Sequence, residues 1–178
     1  MNVQILIGCL VLPLAAQART SWDFTLLLDG KPVGWHRYSL QVDGDERVLT
    51  STAHLEVRVL GLTVYRYTHD ATERWKGDCL LRLSSRTDDN GERFEVERWL
   101  DECAMSFAYW NGAMLKRSEL LNPQTGRFES VAITPLGQGR YRITGTKSPI
   151  ELQYSPSGEW IALDSTVSGG RRLTYRLQ

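Results

Sequence analysis

Ala53-His54-Leu55-Glu56-Val57-Arg58-Val59 and, beyond Gly61, Val64-Tyr65-Arg66-Tyr67-Thr68-His69-Asp70-Ala71-Thr72-Glu73-Arg74-Trp75 are the stretches that decide the fold. Both alternate with a period of two. In the first, Ala53, Leu55, Val57 and Val59 point one way, and His54, Glu56 and Arg58 point the other. In the second, Tyr65, Tyr67, His69, Ala71, Glu73 and Trp75 share a face opposite Arg66, Thr68, Asp70, Thr72 and Arg74. One apolar and one polar face per strand is the pattern of half-buried antiparallel strands.

The same alternation extends in both directions. Trp22, Phe24, Leu26 and Leu28 share a face of a first strand, and Asp29-Gly30-Lys31-Pro32 turns the chain into a second at Val33–Val42. Leu80–Thr87 and Arg93–Leu100 flank Asp88-Asp89-Asn90-Gly91, a strong hairpin signal. Further strands are expected at Phe128–Thr134, Arg140–Thr144, Ile150–Tyr154, Trp160–Val167 and Arg172–Leu177, separated by Gly-rich or Pro-rich turns. Between Met105 and Leu121 the alternation fails, and Asn111 is placed to cap a short helix that Gly112 weakens. Consecutive strands joined by short turns predict an all-β fold: an antiparallel meander curled into an open barrel or half-barrel, with one short helix or irregular plug near residues 106–120.

The first residues carry a different pattern. An apolar run from Ile5 to Ala16 ends in Ala16-Gln17-Ala18, a small-x-small site before Arg19. This predicts a signal peptide over 1–18, cleavage between Ala18 and Arg19, and a single exported, periplasmic β domain over 19–178. The run falls short of the roughly 20 apolar residues that span a bilayer. Leu6-Ile7-Gly8-Cys9 is like a lipoprotein cleavage box, but most of the apolar run lies after it. Past Ala18 the chain keeps all its charged residues and is formally neutral, which is poor footing for nucleic-acid binding and gives no reason to expect electrostatic adhesion to anionic lipid. Cleavage would leave Cys79 and Cys103, which in an exported chain favour one disulfide over two buried thiols. A hairpin loop centred on Gly91 puts these positions opposite each other, whereas a two-residue Asn-Gly turn offsets them by one.

Signatures of catalysis are missing: no Gly-x-Ser-x-Gly, no His-Glu-x-x-His, no phosphate-cradling glycine loop. His36, His54 and His69 are scattered, so neither a metal site nor a cofactor is expected. The best constellation for a ligand is the strand face of Tyr65, Tyr67, His69, Glu73 and Trp75. His69 and Glu73 stand roughly 13 Å apart along a regular strand, too far for an acid–base pair without a bulge. The plainer reading of this face is core lining. Ser106-Phe107-Ala108-Tyr109-Trp110-Asn111 supplies a second group, of which Trp110 and Asn111 are the ligand candidates.

Several blocks together resemble the exported bacterial family labelled domain of unknown function 6134. They are Leu28–Gly34, Gly61–Tyr67, Glu73–Trp75, Ser85–Gly91, Met105–Asn111, Leu121–Gly126 and Gly169–Tyr175. The resemblance implies a signal peptide, a periplasmic β-rich domain and pairing of Cys79 with Cys103; it implies no activity. Relative to the pattern the chain is shorter between Val96 and Ala104 and between Gly137 and Tyr141. The hairpin register around the cysteines and the closure of the barrel therefore stay open. Three functions are expected to compete: a non-catalytic binder of an apolar or lipid-like small molecule, an accessory protein acting through an envelope protein partner, and an enzyme using His69 and Glu73.

Overall fold

The computed structural model describes residues 19–178, so the leader expected over 1–18 lies outside the described residues. Thirteen strands form: β1 Ser21–Leu28, β2 Lys31–Asp43, β3 Glu46–Val59, β4 Leu62–Lys76, β5 Cys79–Asp89, β6 Glu92–Ala104, β7 Glu119–Leu121, β8 Phe128–Ser130, β9 Ala132–Gly137, β10 Arg140–Thr144, β11 Ile150–Tyr154, β12 Trp160–Val167 and β13 Arg171–Leu177. Eleven make one antiparallel sheet in the order β6-β5-β4-β3-β2-β1-β13-β12-β11-β10-β9. Sequence neighbours pair throughout, except where the first and last strands meet as β1–β13. The sheet does not close, because β6 and β9 are unpaired edges.

Curling brings its distant strands into one core. Phe24 of β1, Leu83 of β5, Ile143 of β10 and Trp160 of β12 are all fully or almost fully buried in the same cluster. The irregular connection after β6 supplies Met105, Ala108, Met114, Leu120 and Leu121 to that cluster, so it crosses the concave face as a plug. Burying each of the larger of these side chains contributes about 1.5–3 kcal/mol. The outer face carries ion pairs such as Arg37–Asp23, Arg82–Glu97 and Arg142–Glu151.

Inside the plug, Asn111 caps a 3-10 helix, Gly112–Lys116, by accepting a hydrogen bond from Ala113 N–H at 3.1 Å. The strand expected at Phe128–Thr134 is instead two strands in two sheets. Val131 N–H donates to Ser118 and stays with the plug, where β8 pairs with β7; from Ala132 onward the chain joins the main sheet as β9. Val131 is buried at the junction, so its apolar position reads as continuous alternation although the chain changes partners.

Cys79 and Cys103 form a disulfide with Cα atoms 4.6 Å apart. Asp89 pairs with Glu92 around a two-residue Asn90-Gly91 turn, which offsets the two cysteines. The register then shifts between Leu80 and Arg82, where Leu80 faces Ala104 while Arg82 faces Trp99. This irregularity, rather than a longer loop, brings the sulfurs together. The bridge marks one end of the half-barrel. The turns at 29–30, 60–61, 90–91 and 145–149 mark the other, the mouth end.

Candidate functional site

Two cross-strand rows that set short side chains beside large ones cross the concave face near the mouth. One runs Tyr38–Ser51–Ala71–Ser85, and the next runs His36–Ala53–His69–Thr87. Opposite residues in antiparallel strands stand side by side on one face. The short side chains of Ser51 and Ala71 therefore make a low floor between taller walls. The plug fills the concave face toward the disulfide but only bridges it here, leaving a cavity of about 610 Å³. Phe107, Tyr109 and Trp110 roof it together with the turn Asn122–Thr125.

Ala53 leaves room for the imidazoles of its neighbours to approach, and the rings of His36 and His69 lie 6.4 Å apart, edge to face. His36 Nε2 lies 2.7 Å from Ser51 Oγ, while the phenols of Tyr38 and Tyr175 converge on Nδ1 at 3.1 and 3.2 Å. We assign the proton to Nε2, which donates to Ser51, so that Nδ1 accepts from a phenol. Burial, helped by the neighbouring His69, holds the His36 pKa down at about 3. His69 Nδ1 is 2.7 Å from Thr87 Oγ1, and burial lowers its pKa to about 4. Burial also raises the Tyr38 and Tyr67 hydroxyls and pushes Tyr175 up to about 12. At neutral pH these cavity groups are therefore uncharged donors and acceptors.

Glu73 sits one step deeper, between Leu49 and Leu83 in the cross-strand row. Burial raises its pKa to about 7, against the opposing effects of the Ser106 hydroxyl and the Trp75 indole. Trp75 Nε1–H donates to Glu73 Oε2 at 3.1 Å. The Ser106 hydroxyl is close but does not meet the geometry of a full hydrogen bond.

Of the residues singled out from sequence, Tyr67, His69, Glu73 and Trp110 line this cavity. Tyr65 stands at the rim and donates to Asp89 at 2.6 Å. Trp75 packs beneath the cavity against Trp110, with ring centroids 5.5 Å apart. Asn111, besides capping, donates to Asp78 at 3.1 Å, and this ties the plug to the disulfide end. His69 and Glu73 hydrogen-bond to different neighbours, Thr87 and Trp75, so the pair does not act as one acid–base unit. Among the described residues, no group of three or more His, Cys, Asp or Glu is arranged to hold a metal ion.

Sequence reasoning missed His36, Tyr38 and Tyr175 and, within the aromatic segment 106–111, did not single out Tyr109 as a ligand candidate. For three of them a signal existed: His36 and Tyr38 share the parity of buried Leu40, and Tyr175 that of Leu173 and Leu177. At the mouth, the lining includes Lys147 and the carboxylates Asp89, Glu92 and Glu129. Gln124 bridges part of the opening by accepting from Tyr67 Oη and donating to Asp89, each at 3.3 Å.

A family model described as domain of unknown function (DUF6134) matches residues 24–178. No curated protein matches the chain.

Proposed function

We propose that this chain, which belongs to the DUF6134 family, is an exported binding protein that holds a largely apolar small molecule in the cup between its sheet and its plug. The observation that carries this reading is the cavity of about 610 Å³ over the small-residue floor. Its size is in the range of small-ligand sites, and an aromatic wall with a few convergent polar groups is their usual lining. The chemistry narrows the ligand. His36, His69 and the tyrosines are neutral hydrogen-bonding groups, so the deep part of the cup favours an uncharged polar group on an apolar body over a phosphate or a carboxylate. Export is supported by the leader pattern at 1–18 and by the Cys79–Cys103 disulfide, which persists in an oxidising compartment.

The test is binding of the neutral apolar fluorophore N-phenylnaphthylamine, alongside native mass spectrometry of protein purified without detergent. Ala71→Phe fills the floor at a cavity-lining position. The expected result is a probe affinity at least about tenfold weaker in the variant, with the melting temperature nearly unchanged. Equal affinity in both proteins, or no binding by the wild type and no copurified small molecule, overturns the reading.

A further inference from the structure

The β3–β4 hairpin is longer than the strands beside it. Pairing of β3 with β2 stops at Gly34 and Leu55, and pairing of β4 with β5 stops at Tyr67 and Asp89. One more bond, from Asn90 N–H to Arg66 O, holds the base. β3 and β4 nevertheless continue pairing as far as Val59 and Leu62. Val57 is still buried beside Val33, so the free end of the hairpin is a two-stranded ribbon that runs about 7 Å past Val57, from two residues at the usual rise.

Its tip is aliphatic and bare: Val59 is 50 %, Leu60 99 %, Leu62 72 % and Val64 52 % exposed. Leu60 also has φ +50°, in the left-handed region. The other non-glycine residues with positive φ among the described residues are polar: Asp29, Asn90 and Gln138. Asn90-Gly91 makes the same kind of two-residue turn with a side chain suited to it. A leucine at that backbone position costs conformational energy, and at 99 % exposure the fold returns nothing for it. Something outside the fold rewards an aliphatic side chain there.

We propose that this ribbon inserts into the interface of an anionic lipid bilayer. Arg58 and Arg66 stand behind the tip, mostly exposed, and share a single carboxylate, Glu56. The collar is therefore cationic, and it sits where lipid phosphates would lie when the aliphatic tip reaches the acyl boundary. Interfacial elements bury their apolar side chains about 5–10 Å deep, which the protruding ribbon can reach. Docking to a protein would favour an aromatic anchor at the centre of the patch, and residues 59–64 include none. Tyr65 and Tyr67 of the same strand run from the ribbon into the rim and wall of the cup, where the carboxylates of Asp89 and Glu92 lie, so the bilayer meets the Arg58 and Arg66 side of the ribbon rather than the mouth.

The experiment is flotation of the full chain with phosphatidylcholine vesicles with and without phosphatidylglycerol, paired with hydrogen exchange of the 56–66 amides. The wild type is expected to bind the anionic vesicles, with those amides protected on binding. Leu60→Asn/Leu62→Asn is expected to weaken binding about tenfold and abolish the protection, because two exposed aliphatic side chains are removed. Val42→Asn, at the disulfide end with Val42 55 % exposed, is expected to change neither readout. Leu60→Asn alone is expected to leave the melting temperature equal or higher. Unprotected 56–66 amides on vesicles, equal binding of the double variant, or a lower melting temperature for Leu60→Asn each overturn the proposal. Protection of the same amides by a copurified protein instead of vesicles does so as well.

Discussion

Replacing Glu73 with Gln isolates the most consequential ionisable group of the cup. Gln keeps the shape and the oxygen that accepts from Trp75 Nε1–H, but it cannot ionise. Burial raises the Glu73 pKa from 4.5 to about 7 in the folded protein. Between those values the folded state holds a proton that the unfolded state has released. The wild-type stability contributed by this proton is therefore complete below pH 4.5 and is lost as pH rises through about 7. A shift of this size corresponds to about 3 kcal/mol. The stability of Glu73→Gln minus that of the wild type is thus expected to rise by about that amount between pH 4.5 and pH 7.5, and then to level off. Urea unfolding followed by tryptophan fluorescence at a series of pH values measures it, with equal m-values securing the comparison. Taking the difference between the two proteins removes the histidines, whose effect has the opposite sign. A difference that is flat across this window refutes the reasoning, because it means the carboxylate ionises as freely in the fold as out of it.

His69→Gln should reveal the opposing slope: with the His69 pKa lowered from 6.5 to about 4, wild-type stability relative to the variant should fall by about 3 kcal/mol as pH drops from 6.5 to 4, in the same unfolding assay. Cys79→Ser/Cys103→Ser opens a loop of sequence separation 24 and should cost about 3 kcal/mol, read as a lower denaturation midpoint that reductant reproduces in the wild type. Gly34→Ala places a Cβ 2.0 Å from His54 O across the β2–β3 pair. Backbone cannot yield there as a side chain would, so a loss of about 3 kcal/mol is expected, seen as an early thermal transition.

The faces of the strands were legible because each strand carries its own record of burial. Along β4, His69, Ala71, Glu73 and Trp75 are all buried while Asp70 and Arg74 are exposed, as the alternation required. Where a bulge intervenes, the record breaks. Val59, assigned to the apolar face, is half exposed because β3 has no β2 partner beyond Leu55 and the extra β4 residue Val64 shifts the β3–β4 register beside it. The offset near Leu80 that brings the cysteines together has no compositional signal either, since it depends on how two strands slip past each other. The cavity was half legible. One wall lay in a single strand, but His36, Tyr38 and Tyr175 reach it only through the pairing of β1 with β2 and β13. Tyr109 lies on a segment without periodicity, where sequence does not say which way a side chain turns.

The open sheet and the hollow have a common cause in the connection between the two edge strands. β6 carries Glu92, Arg93, Glu95, Glu97 and Arg98, and β9 carries Pro135, which has no N–H to donate. Charged and proline-bearing edges resist pairing with one another, so the two edges are joined by chain rather than by a ladder of hydrogen bonds. That connecting chain is tied unevenly. Toward the disulfide it is held by its own apolar residues in the core, by Asn111 to Asp78 and by Tyr154 Oη donating to Tyr109 O at 2.8 Å. Over the mouth, its tethers are Ser85 to the carbonyl of Pro123 and the longer bonds of Gln124 to Tyr67 and Asp89. A segment opens first where its buried apolar contacts are fewest. The plug is therefore a solid core at one end of the half-barrel and a bridge over empty space at the other. The cup lies under the end that costs least to open, beside the exposed aliphatic ribbon.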